Sequence, residues 1–503
     1  MNRPRQSLGP ARRGGNPLAT LAVLVLVPAA ALLGIWRLTA GDGGGGSADV
    51  SLPPTTAPGS PPPVAPAPLQ TPLLSFRRVP GLIARELNGD AFAQQVGAFA
   101  GTLDGTSCLA VEVDGIDVGG HNPDLAVIPA SNQKLLTAAA ALHILGPDHV
   151  FTTEVRATAV AGGVVNGDLY LVGGGDPLLT SPEWDGDIIG YPIPDDATRL
   201  DALAEQIVAA GVTQITGGVV GDGSRYDDET YYEEWTNDIR VAEAGPLSGL
   251  MANDARTMAG GEWTVSESPA RGAAAELTRL LQARGVTVAG EPSNGTAPAE
   301  ATVVTSITST PLTGVIAEML STSDNNTAEL LLKELGVATG AGGSRTAGIA
   351  AMTTALQELG IDTAPFVIAD GSGLSAANRV TCRAIIQVLR MHSPTDAFGS
   401  ALPVAGETGT LADDFLDTPM AGVMQAKTGS LSNPPYNDDI PSSKSLSGYV
   451  PTGSGTIQFS LILNSPTVNY AEIVNNQPIW LALGDMLATY SSAASAPLGP
   501  VGG

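Results

Sequence analysis

Cysteine, histidine and lysine are scarce in this chain of 503 residues, at two, four and four copies. Two cysteines and four histidines leave little material for a zinc site or an iron–sulfur cluster, so neither metal nor cofactor is expected. Basic residues are also few: 24 Lys and Arg stand against 50 Asp and Glu, a net charge of −26 that argues against a broad nucleic-acid-binding face. The glycine-rich segments 173–175 and 340–343 lack a following Lys-Ser/Thr, which argues against a phosphate cradle. His121, His143, His149 and His392 have no context for a Ser-His-Asp hydrolase, and His143 reads as a packed or capping residue near a helix end. Lysine is the most informative shortage. Lys134, Lys333, Lys427 and Lys444 are the whole set, and the other 20 basic residues are arginine.

What is present is apolar enough to fold. Hydrophobic residues make up 43% of the chain, and the length accommodates roughly two to four domains. Arg3, Arg5, Arg12 and Arg13 precede an apolar run from Pro17 to Trp36, long enough for a bilayer of about 30 Å. No clean Ala-x-Ala site follows, so an uncleaved anchor is favoured over a cleaved signal, with the amino end in the cytoplasm. Nine prolines fall in the 22 residues from Ser51 to Pro72, a composition for an extended, solvated spacer. Beyond residue 73 the body carries 19 basic and 48 acidic residues, or −29, which suits an exported domain. Cys108 and Cys382 would oxidise there if they came close; sequence leaves their pairing open.

Within the body, 109–113 and 115–118 read as a hairpin, and Ser131 to Leu145 as a helix with Leu135, Ala139, Leu142 and Leu145 on one face. Gly146-Pro147 supplies its stop. Strands near 153–159 and 168–172, a helix near 198–209 and a strand near 217–221 suggest an αβ insert. Helical patterns follow at 273–284, 312–320, 326–335 and 344–359. Strands at 422–427, 445–450 and 456–464 precede a helix around 471–490. The last third lacks βαβ regularity, which predicts an antiparallel sheet covered by helices, an α+β fold.

Ser131-Asn-Gln-Lys134 places a hydroxyl and an amine at i and i+3 on one helix face. A buried lysine can lose its proton near neutrality and act as a base, which arginine cannot. Alone, the pair reads as a serine cap and a solvated lysine. Ser323-Asp324-Asn325 alone reads as another cap, and Lys427-Thr428-Gly429 as a strand end. Together, in this order, they match the Ser-x-x-Lys, Ser-Asp-Asn and Lys-Thr-Gly set of penicillin-recognising enzymes.

The sequence resembles the D-alanyl-D-alanine carboxypeptidase/endopeptidase family of class C penicillin-binding proteins, the type of penicillin-binding protein 4. Further segments carry the likeness: 167–177 (Gly-Asp-Leu-Tyr-Leu-Val-Gly-Gly-Gly-Asp-Pro), 249–254 (Gly-Leu-Met-Ala-Asn-Asp), 370–375 (Asp-Gly-Ser-Gly-Leu-Ser) and 402–411 (Leu-Pro-Val-Ala-Gly-Glu-Thr-Gly-Thr-Leu). The resemblance implies a penicillin-binding-protein and serine β-lactamase-like transpeptidase fold. Its expected divisions are an anchor or signal over 1–40, a linker over 41–73, a catalytic domain over 74–150 and 255–492, an inserted αβ domain over 151–254, and a tail over 493–503. The expected catalytic residues are Ser131 as nucleophile, Lys134 as base, Ser323 as proton relay, Asn325 and Lys427, the last also depressing the pKa of Lys134. Thr428, Gly429 and Ser430 are expected to bind substrate, Lys427 and Thr428 holding its terminal carboxylate, with the backbone N–H groups of Ser131 and Ser430 as oxyanion hole. Peptidoglycan stem peptides are the implied substrates and β-lactams the implied inhibitors, with the body outside the bacterial membrane. A β-lactamase or esterase on the same scaffold, or a silent wall-binding module, are the competing readings.

Two departures from that family pattern stand out. Only 255–269 separates Asn253-Asp254 from the next helix, where relatives often insert a further β-rich domain. Ala376 follows Gly373-Leu-Ser, where many relatives place arginine, and Arg379 lies three residues on. Asp238 is a candidate contact for a stem-peptide amine, and the long 432–444 connection a candidate overhang of the site.

Overall fold

The computed structural model describes residues 79–184, 186, 192–235, 239–240, 243–259, 261–431, 442–453, 455–465 and 477–490. The expected anchor, the proline-rich spacer, Asp238 and the 432–441 part of the long connection lie outside those residues, as do 471–476 of the last predicted helix. No helix among the described residues is long and apolar enough to cross a membrane.

The chain opens with helix α1 (Val79–Ala100), strands β1 (Cys108–Val113) and β2 (Ile116–His121), a 3-10 turn (Ala130–Asn132) and helix α2 (Gln133–Leu145). An αβ region follows: β3 (Thr152–Ala157), β4 (Val160–Ala161), β5 (Val164–Val165), β6 (Leu169–Val172), β7 (Leu179–Thr180), β8 (Thr198–Arg199), helix α3 (Leu200–Ala209), β9 (Gln214–Ile215) and β10 (Val219–Asp222). It continues through β11 (Arg256–Ala259), β12 (Glu262–Val265), helix α4 (Pro269–Ala283), β13 (Thr287–Val288), β14 (Ser293–Asn294) and β15 (Thr302–Thr308). The last stretch holds helices α5 (Leu312–Thr322), α6 (Asn325–Ala338), α7 (Arg345–Glu358) and α8 (Cys382–Met391), strands β16 (Gln425–Leu431), β17 (Ser442–Thr452) and β18 (Gly455–Ser465), and helix α9 (Gln477–Ala488).

The predicted antiparallel sheet is five-stranded, ordered β16-β17-β18-β1-β2, so first and last thirds of the chain share it. Residues alternate between its faces, as strand geometry requires. Leu109, Val111, Phe459 and Leu461 pack with Phe92 and Val96 of α1 and Trp480 and Leu483 of α9. Cys108, Ala110 and Ile462 face the helical layer, with Leu135 and Leu136 of α2 and Ile385 and Leu389 of α8. Each fully buried Leu, Ile or Phe in these layers contributes about 1.5–3 kcal/mol. A disulfide joins Cys108 to Cys382 across 274 residues, settling the pairing that sequence left open.

The αβ region is larger than the expected 151–254. Its main sheet runs β14-β10-β6-β3-β15: β14 adds parallel to β10, and β15 closes antiparallel on β3. Leu277 and Leu281 of α4 share a core with Leu203 and Ile207 of α3. The helical pattern at 273–284 matches α4, whereas β13, β14 and β15 have no counterpart in the sequence reading, and only pairing reveals which sheet they join. The short 255–269 segment forms the β11–β12 hairpin. Helices α1 and α8 were not read from the sequence.

Candidate active site

Ser131 does not cap a helix. It sits inside the 3-10 turn that leads into α2, after Ala130, whose φ of 48° is left-handed. Such backbone in a non-glycine residue costs on the order of 1–3 kcal/mol and persists only where packing enforces it. Lys134, the second residue of α2, is completely buried. Its Nζ lies 3.0 Å from Ser131 Oγ, 2.7 Å from Asn325 Oδ1 and 2.9 Å from the Ser372 carbonyl. The last two partners can only accept. A neutral amine would give them its two hydrogens and turn its lone pair on the serine hydroxyl.

Burial is the principal influence on this amine and lowers its pKa to about 8, against the opposing carboxylates of Asp324, Glu329, Asp370 and Glu243. Lys427 is expected to help depress this pKa, and desolvation is the largest cause. Lys427 is itself pushed well below the usual lysine value, first by burial and then by Lys134.

The acceptor at Ser372 is held by a second layer. Both oxygens of Glu329 accept from the Gly371 amide, and Oε1 also from Ser372 N. Asp370 accepts from Gly373 N, Ser375 N, Asn378 Nδ2 and Trp235 Nε1. These bonds fix the 370–375 loop noted in the sequence. Gly373 is required there: at its φ of +93° an added Cβ would stand 1.9 Å from the Ala130 carbonyl.

Ser323-Asp324-Asn325 forms the junction of α5 and α6. Ser323 ends α5 in left-handed conformation (φ 68°), and Asp324 caps α6 by accepting from Thr327 N. Asn325 bridges two walls: Oδ1 accepts from Lys134, and Nδ2 donates to the Glu243 carbonyl. Ser323 lines the same cleft as Ser131, and among the described contacts it bonds to neither Ser131 nor Lys134.

Lys427-Thr428-Gly429 is not a strand end. The strand runs on through Leu431, and β16 is the sheet edge beside the Ser131 turn. Gly429 makes that approach feasible, since a Cβ there would sit 2.2 Å from Ser445 Oγ and 2.9 Å from Ser131 N. Thr428 Oγ1 donates to Thr410 Oγ1 at 2.7 Å. Ser131, Ser323, Asn325, Thr428, Gly429 and Ser430 all line one cleft of about 410 Å³.

Sequence reasoning missed Glu243 and Lys444, which also line the cleft. Neither stands in a motif; Lys444 carried a signal only as one of four lysines. Lys333 is structural: fully buried, it donates to Asp227 Oδ1 and the Glu229 carbonyl. Arg379 turns to the carbonyls of Ala376 and Asn378, and His143 pairs with Glu358 at 2.9 Å. Among the described residues no three His, Cys, Asp or Glu side chains are grouped to hold a metal ion.

The model of the D-Ala-D-Ala carboxypeptidase 3 (S13) family matches residues 90–262 and 255–480. The chain belongs to that family. It is 31% identical over 420 residues to a D-alanyl-D-alanine carboxypeptidase of Actinomadura sp. (strain R39), covering 67% of this chain and 73% of the relative. It is 32% identical over 349 residues to carboxypeptidase DacB of Mycolicibacterium smegmatis, covering 67% and 71%. Penicillin binding protein 4 (dacB) from Haemophilus influenzae shares the fold: TM-score 0.63, 20% identity, 79% of this chain and 99% of that one. The expected α+β penicillin-binding-protein fold and family are thereby established.

Proposed function

We propose that this S13 enzyme hydrolyses the bond between the two D-alanines of peptidoglycan stem peptides through an acyl-enzyme on Ser131. The observation that carries the reading is the buried amine of Lys134, with its two acceptor-only partners and 3.0 Å from Ser131 Oγ. Ser131 Oγ attacks the penultimate D-Ala carbonyl carbon and passes its proton to Lys134 Nζ. Collapse of the tetrahedral intermediate breaks the C–N bond, and the proton reaches the leaving amine through Ser323. Backbone N–H groups of Ser131 and Ser430 stabilise the oxyanion. Water then cleaves the ester, with Lys134 accepting its proton. A β-lactam presents a strained amide to the same serine and acylates it.

The body works outside the cytoplasmic membrane, tethered by residues 17–36 through the proline-rich spacer. The Cys108–Cys382 disulfide supports an oxidising compartment. Incubation with a stem pentapeptide and with cross-linked muropeptide dimers tests the activity: free D-alanine from the first marks a carboxypeptidase, dimer loss an added endopeptidase. Activity on neither, with rapid turnover of penicillin, would leave a β-lactamase.

A further inference from the structure

Lys427 is expected to hold the substrate carboxylate together with Thr428, yet it is not among the residues that line the cleft. It is completely buried beneath its own strand, with Nζ on the Thr428 carbonyl at 2.8 Å. The lysine that does line the cleft is Lys444 on β17. The register of the two strands sets Lys444 directly opposite Ser430, and its Nζ donates to Ser430 Oγ at 2.9 Å. Opposed residues of a strand pair share a face, as do residues two apart on one strand, about 6.6–7 Å from each other. Thr428 Oγ1, Ser430 Oγ and Lys444 Nζ thus form a row of donors on the cleft side of the sheet edge.

We propose that Lys444 is the counter-ion for the terminal carboxylate of the substrate, with Ser430 and Thr428 completing the carboxylate station. Three features support it. The other cation lining this cleft is Arg256, which belongs to the αβ region and donates to the Asp254 carbonyl. The Lys444 ammonium lies 4.5 Å from the centre of the buried Trp480 ring, so its long stem is held rather than free to sweep solvent. A carboxylate arriving at Thr428 would otherwise meet a wall that also carries Asp414, Glu243 and Asp254, and an acidic cleft needs a cation to accept an anion.

This assignment rests on the D-Ala-D-Ala reading, and its test separates the two. The full chain, Lys444→Met and Lys444→Arg are assayed on an acyl-D-Ala-D-Ala peptide with a free carboxylate and on the same peptide as its C-terminal carboxamide. The charge-assisted contact predicts that Lys444→Met lowers kcat/KM for the acid about 10- to 100-fold, chiefly through KM, and leaves the amide unchanged. Lys444→Arg is expected to restore most of the acid preference. Equal losses on acid and amide, or an unaltered acid-to-amide ratio in Lys444→Met, overturn the assignment and leave Lys444 as packing for Trp480. A wild-type chain inactive on the acid and unlabelled by penicillin would overturn the D-Ala-D-Ala reading itself.

Discussion

Lys134 and Asn325, 191 residues apart, are joined by a 2.7 Å hydrogen bond in which the lysine donates. That bond ties α2, which follows directly on the nucleophile's 3-10 turn, to the junction of α5 and α6. Because Asn325 Oδ1 cannot donate, it orients the amine without supplying it a proton.

Acylation therefore depends on the ionisation of Lys134. With its pKa lowered to about 8 by burial, the neutral fraction grows as pH rises, so the rate of acylation by benzylpenicillin is expected to climb through about pH 8 and level off above it. Asn325→Asp puts a carboxylate against the ammonium and is expected to move the midpoint upward. A pH-independent rate in the wild type would contradict the role of this amine.

Gly429→Ala is expected to damage the site selectively. The new Cβ must displace Ser445 Oγ or the Ser131 amide. A displacement of about 1 Å at a reacting group costs about 100-fold in rate, and stopped-flow acylation would read it. Circular dichroism is expected to show the fold retained.

Asp254 makes the fold sensitive to base. Burial first and the neighbouring Asp324 second raise its carboxyl from 3.8 to about 7. The folded chain thus keeps a proton that the unfolded chain releases, and the associated stability is full below pH 3.8 and lost as pH rises through about 7. Asp254→Asn, neutral throughout, is expected to match wild-type Tm at low pH and exceed it at pH 8. A Tm difference constant across the range would contradict this.

The Cys108–Cys382 bond closes a long loop between the sheet and α8. Its reduction is expected to cost about 2–4 kcal/mol, read as a lower denaturant midpoint with reductant present. An unchanged midpoint would contradict it.

The legible parts of the site were those with local chemistry. Ser131 and Lys134 share one helical face, and the other motifs declare themselves by type and order. What the sequence could not carry is set by pairing and burial. The Lys-Thr-Gly segment reads as a strand end because Lys and Gly are depleted in strands, yet β17 continues the ladder through all of them. The expected αβ boundary falls at 254 because nothing local tells that β14 and β15 return to the earlier sheet. Glu329 looks like a surface residue of α6, and only the fold reveals it buried under the loop that holds Lys134.

The most direct measurement is the mass of the protein after exposure to benzylpenicillin, followed by mapping of the modified peptide. The account predicts one adduct, located on Ser131 and absent from Ser131→Ala. An adduct that persists in Ser131→Ala, or that maps to another residue, would contradict it.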